Sequence, residues 1–146
     1  MNIMTKRILT LIALTCASVA SYAMPVDLST WTNNSRGGSN WTVQGAMNDT
    51  VLQSVNGQPT VFFDPTNLMT QGTFLSGTIN VNSNNDDDCI GFVLGYENGE
   101  ITSAGATDYY LIDWKQGNQV LGGAQGDMGL AISHVTGPIT DEEDAF

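Results

Sequence analysis

Basic side chains are almost missing from this chain of 146 residues, where four Lys and Arg stand against fifteen Asp and Glu. A surface so acidic repels phosphate backbones and anionic lipid headgroups, so no nucleic acid or membrane surface is expected among its partners. Cations are. Cysteine is nearly absent too. With Cys16 in the leader described below, Cys89 alone remains, and no internal disulfide can staple the rest of the chain. The neighbours of Cys89 are carboxylates, which raise a thiol's pKa, so it reads as a small apolar residue rather than a nucleophile. The one histidine, His134, has no partner at the spacing that a metal site or a triad demands and reads as an ordinary strand residue. Long hydrophobic runs are missing after residue 23, so no membrane span is expected within this chain.

Residues 1–23 have the form of a bacterial export signal. Lys6 and Arg7 supply the positive start, and Ile8 to Ala20 is apolar but short for a bilayer. Ser21 and Ala23 put small side chains at the two positions that signal peptidase reads. Cys16 follows Thr15, a poor residue before a lipidated cysteine. A secreted or cell-surface product is expected. Cleavage would remove Lys6 and Arg7 and leave Arg36 and Lys115 against all fifteen acidic residues. Residues 24–146 then suffice for one modest domain with a core.

Helix signals are scarce and turn residues frequent, the pattern of an all-β sandwich or barrel. Trp41–Gln44, Val51–Val55, Thr60–Phe63, Ile90–Tyr96, Tyr109–Trp114 and Gly129–Val135 read as strands, and Asn33–Asn40 as a loop. Asn56-Gly57 predicts a type I′ hairpin between Val51–Val55 and Thr60–Phe63. Gly72–Val81 alternates most clearly, with Leu75, Ile79 and Val81 on one face. Ile90, Phe92, Leu94 and Tyr96 line one face of the next strand. Gly91 and Gly95 inside that strand predict a second layer packed close against it. The segment from Val81 to Ile90 thus reads as the connection between two adjacent core strands. The chain stops in the acidic run Asp141–Asp144, and the domain is expected to be incomplete at its C-terminus.

The run Asp86, Asp87, Asp88 leads straight into that apolar strand. Three carboxylates about 6 Å apart in water repel by only ~0.7 kcal/mol per pair, so repulsion alone does not demand a metal. Calcium, which takes carboxylate, amide and carbonyl oxygens, and a merely solvated rim both remain open on the residues. Three contiguous carboxylates cannot supply six to eight oxygens, so Asn84, Asn85, backbone carbonyls, waters or a distant Asp113 would complete the shell. By alternation with Tyr110, Ile112 and Trp114, however, Asp113 reads as solvent-facing.

Asp86 to Tyr96 (DDDCIGFVLGY) followed by Tyr109 to Gln116 (YYLIDWKQ) resembles the C-terminal lectin-like domain of thrombospondins. Gln53 to Pro59 and Gly72 to Gly77 are similar to that family's opening strands, and the resemblance runs over roughly residues 27–135. It implies a concanavalin A-like jelly-roll β-sandwich, an extracellular location, calcium bound at loops, and a role in adhesion. Bacterial exported proteins with such a domain are known. Asp86, Asp87 and Asp88 carry over as metal ligands. Cys89 departs from the family's usual aromatic, and the loop Asn98–Asp108 is longer.

The resulting reading is a non-enzymatic extracellular calcium-binding module with a structural or adhesive role, whose partner is an extracellular protein or glycan. The alternative is a carbohydrate-binding lectin-like module using exposed aromatics among Trp31, Trp41 and Trp114, although tryptophans in a small sandwich usually belong to the core. A glycosidase needs two carboxylates converging across a sugar. Glu97 and Glu100 lie on a turn and the C-terminal acids form a charge run, so no enzyme is expected. The sequons at Asn33, Asn40 and Asn48 read as coincidence in an exported bacterial chain.

Overall fold

A computed structural model describes residues 24–66, 76–82, 88–102, 107–121, 123–140 and 144. Among them the chain is all-β, with nine strands and no α-helix. They are β1 (Thr32–Ser35), β2 (Trp41–Gln44), β3 (Thr50–Gln53), β4 (Thr60–Phe63), β5 (Cys89–Leu94), β6 (Thr107–Lys115), β7 (Gln119–Leu121), β8 (Ala124–Gly126) and β9 (Gly129–Gly137). Every pairing is antiparallel: β1 with β4, β2 with β3, β7 with β8, and a three-stranded sheet in the order β5-β6-β9.

The core lies between the β1–β4 pair and the inner face of the three-stranded sheet. Ile101, Tyr109, Val135 and Ile139 form it, with Val61, Val93, Tyr96 and Leu111 packed around them. Alternation along β4 explains how this short strand serves two clusters. Val61 and Phe63 point to the core, where Phe63 meets the edge of Tyr96 at 5.1 Å and Tyr96 meets Tyr109 at 5.5 Å. Phe62 points the other way, and Trp31 and Trp41 pack on it at 5.7 and 5.4 Å. Two sheets face to face make the sandwich that the composition predicts.

Several details differ from the sequence reading. Asn56-Gly57 makes no hairpin, since β3 turns back on β2 through Gly45–Asp49, where Gly45 and Asn48 carry the positive φ. Gly57 has a different task. It runs beside β1's continuation, where a Cβ would lie 2.4 Å from the Gly38 carbonyl oxygen. There Gln58 N–H donates to Gly37 and Arg36 N–H to Pro59. β1 itself falls in the expected loop Asn33–Asn40, because its sequence TNNS offers no apolar alternation to read.

The alternating segment Gly72–Val81 also departs from expectation. Residues 72–75 lie outside the described residues, and residues 76–81 carry no strand ladder. Gly77 instead lies against the tip of the Phe92 ring. The described ladder partner of β5 is β6. The expected joining of two adjacent core strands through the acidic run is therefore not what the described residues show. Gly91 is small for a reason other than a second layer: a Cβ there would sit 1.9 Å from the Ile112 carbonyl oxygen on β6.

The expected rows Ile90, Phe92, Leu94 and Tyr110, Ile112, Trp114 exist but face outward rather than inward, and Tyr96, expected in line with the first row, turns into the core beyond Gly95, whose φ is 81°. Ile90, Phe92 and Leu94 pair across with Trp114, Ile112 and Tyr110, and those with Leu130, Ile132 and His134 on β9. That whole set lies on the outer, solvent-exposed face. Cys89, Val93, Leu111, Asp113 and Lys115 belong to the inner one.

Candidate functional site

Of the three expected metal ligands, Asp86 and Asp87 lie outside the described residues. Asp88 immediately precedes β5, is exposed, and its Oδ1 accepts a hydrogen bond from Gln119 Nε2 at 3.1 Å. Gln119, the first residue of β7, also accepts through Oε1 from Lys115 Nζ at 2.7 Å. A short polar chain thus runs from the end of the acidic run to a buried ammonium. The ladder explains the proximity, because Lys115 is the direct partner of Cys89, one residue beyond Asp88.

Lys115 is only 2% exposed, and its stem lies against Gly126 of β8, where a Cβ would come within 2.9 Å of Cε. The β7–β8 hairpin therefore closes over the aliphatic stem while the ammonium is held by polar partners, as burial of a charge requires. Asp113, two residues earlier on the same strand face, is 7% exposed. This corrects its reading as solvent-facing. Burial raises its carboxyl pKa, and the nearby Lys115 charge opposes that rise. The Cys89 thiol is raised by burial first and by Asp113 next, which leaves it a protonated, half-buried side chain.

Among the described residues no three His, Cys, Asp or Glu side chains converge closely enough to hold a metal ion. Asp113 does not join Asp88 in such a group. Of the acids weighed for a glycosidase, Glu100 has another task. Glu100 accepts from the backbone N–H of Asp108 at 2.9 Å and from that of Glu97, which locks the turn after β5 onto β6. His134 has a partner that the spacing did not reveal. Its Nε2 lies 2.7 Å from Asp108 Oδ1 and its ring stacks on Tyr110 at 4.6 Å, through cross-strand neighbours on β6 and β9. The pair is exposed.

The tryptophans divide. Trp31 and Trp41 are half-buried on Phe62, and Trp41 Nε1 donates to Thr60 Oγ1 at 2.8 Å, which in turn donates to the Asn34 carbonyl. Trp114 stands outward on the open sheet face at 44% exposure. Two positioning residues were invisible in the sequence. Arg36 forks onto the carbonyls of Ile101, Ile139 and Thr140, and Asn34 Oδ1 accepts from Tyr96 Oη and from Gly99 N–H, both at 2.7 Å. Both lie in a polar segment with no pattern to single them out.

Residues 37–139 match the thrombospondin C-terminal region. Thrombospondin-3b of Danio rerio is 31% identical over 80 residues, which make up 55% of this chain and 8% of that protein. The chain therefore spans less than a tenth of that relative's length. No solved structure matches. No helix among the described residues is long and apolar enough to cross a membrane. With an all-β sandwich in place and a match over well above half its length, the chain belongs to the thrombospondin C-terminal region family.

Proposed function

We propose that this chain is an exported, non-enzymatic extracellular module that binds calcium at Asp86, Asp87 and Asp88 and has a structural or adhesive role. Residues 1–23 act as its leader, of the bacterial kind, and residues 24–146 as the sandwich. Family membership supports the reading, together with the position of Asp88. It stands exposed at the head of β5, and its Oδ1 accepts from Gln119 Nε2, the side chain that also receives Lys115 Nζ. In this reading the ion neutralises the acidic run, and Lys115 behind Gln119 limits how much further charge the site needs. Isothermal calorimetry with calcium on the purified chain tests it. Heat that is abolished by chelator, and lost when all three Asp become Asn, is the expected result. Equal heats in wild type and triple variant would reject the assignment.

A carbohydrate-binding reading is favoured by one observation, the exposure of Trp114 and Tyr110 on the same sheet face. A glycan array at fixed calcium separates the two. Sugar binding that disappears with Trp114→Ala, without loss of β-structure, would favour the lectin-like alternative.

A further inference from the structure

Two Asn-Gly steps stand in this chain, Asn56-Gly57 and Asn98-Gly99, and the fold treats them oppositely. Asn followed by Gly is the step most open to spontaneous loss of the side-chain amide, because the second residue has no Cβ to hinder the approach of its own nitrogen. The reaction needs that nitrogen to give up its proton and to reach the Asn side-chain carbon. Gly99 is withheld from it. Its N–H donates to Asn34 Oδ1 at 2.7 Å, and it sits at φ 97° in a turn closed by Glu100 N–H on the Glu97 carbonyl and Thr102 N–H on the Gly99 carbonyl. Asn56 and Gly57 are both exposed and belong to no strand. Neither the Asn56 amide nor the Gly57 N–H has a hydrogen-bond partner among the described residues.

We propose that Asn56-Gly57 is a site of spontaneous covalent modification, at which Asn56 converts to isoaspartate and loosens the joint between β1 and β4. The deprotonated Gly57 nitrogen attacks the Asn56 side-chain carbonyl carbon. A new C–N bond closes a succinimide ring, the bond to Nδ2 breaks, and ammonia leaves with the proton that Gly57 gave up. Water then opens the ring. Addition at the side-chain carbonyl gives aspartate. Addition at the main-chain carbonyl gives isoaspartate, whose backbone runs through the former side chain and is longer by one bond, about 1.5 Å. That length has nowhere to go. Upstream, the Gln53 side chain holds both backbone groups of Val55. Downstream, Gln58 N–H donates to the Gly37 carbonyl and Arg36 N–H to the Pro59 carbonyl, both at 3.1 Å. Gly57 itself runs against the backbone of Gly37 and Gly38. Displacing it pulls on Arg36, whose guanidinium holds the Ile101 and Ile139 carbonyls beside the core.

Peptide mapping by mass spectrometry tests this on the purified chain held in mildly alkaline buffer. Conversion at Asn56 should be at least tenfold faster than at Asn98, with isoaspartate the larger product, and in urea the two rates should draw together. Asn34→Ala removes the acceptor of the Gly99 N–H and should speed conversion at Asn98, while Asn34→Asp, which keeps an acceptor oxygen, should not. The isoaspartate form, separated by chromatography, should melt several degrees below the fresh chain. Asn56→Asp, with the same charge and no added bond, should melt with the fresh chain. Equal rates at both positions in the folded chain overturn the inference, as does an Asn98 that stays slow in Asn34→Ala. An isoaspartate form as stable as the fresh chain overturns the loosening of the β1–β4 joint.

Discussion

Arg36 shows what one cation does in a chain this acidic. Its guanidinium donates from Nη1 to the Ile101 and Ile139 carbonyls at 3.2 and 2.6 Å, and from Nη2 to Thr140 at 2.6 Å. Segments more than sixty residues apart are thereby tied at one point, and two of them supply buried core side chains, Ile101 and Ile139. Arg36→Met should cost about 2–4 kcal/mol in urea unfolding, because three carbonyls lose a charged donor and cannot all recover it from water. Arg36→Lys should restore less than half, since an ammonium lacks the planar fork. Tyr109 supplies a pH test at the same scale. Burial pushes its phenol up to about 12 from 10.0, so the folded state resists its ionisation. Its stabilising contribution is complete below pH 10 and is lost as pH rises from there through about 12. Tyr109→Phe should therefore flatten the loss of stability in that window, read from unfolding free energies at successive pH values. An unchanged slope would show that Tyr109 ionises as freely in the fold as in the unfolded chain.

At the scale of elements, the β5–β6 ladder rests on a residue with no side chain. Gly91 pairs with Asp113, and β6 approaches so closely that a methyl group there meets the Ile112 carbonyl oxygen and the Asp113 Cα, at 2.7 Å. Both obstacles are backbone and cannot swing aside. Gly91→Ala should destabilise by about 2–4 kcal/mol, the range for a backbone displaced in a core strand. Thermal melting checks it, and a change below about 0.5 kcal/mol would mean that the ladder gives way freely. The sequence showed that Gly91 needed close packing, but not from which direction. A glycine within a strand reports that something is near, and whether the neighbour is in the same sheet or in the next one depends on pairing. The Asn56-Gly57 dipeptide failed for the same reason. Both residues suit a tight turn, yet Thr60–Phe63 finds its partner in β1, and the glycine serves a close backbone approach to Gly38.

For the whole molecule, the proposed calcium ion would act on stability. With a dissociation constant near 10⁻⁴ M, typical of extracellular sites, and ~2 mM free ion, binding would add about 1.8 kcal/mol. In a domain of this size the melting temperature should rise by several degrees, about 3–8 °C, and chelator should reverse it. The triple Asp→Asn variant should show neither effect. Local chemistry made the strand segments β2, β3, β4, β5, β6 and β9 legible in the sequence, since β-branched and aromatic runs between turn residues favour a pleated strand wherever they land. The all-β class and the acidic run at the head of β5 followed from the same patterns. Only tertiary structure decided which face of β5 and β6 is inside. Both faces carry apolar side chains, so a period of two gives the phase without the sign. The sign was settled by β1–β4, which packs Val61 and Phe63 against one side and draws Asp113 and Lys115 inward with it. Partners distant in the chain, the Arg36 carbonyls and the Asp108–His134 pair among them, were likewise fixed by pairing, because side chains are brought together by register and not by spacing along the sequence.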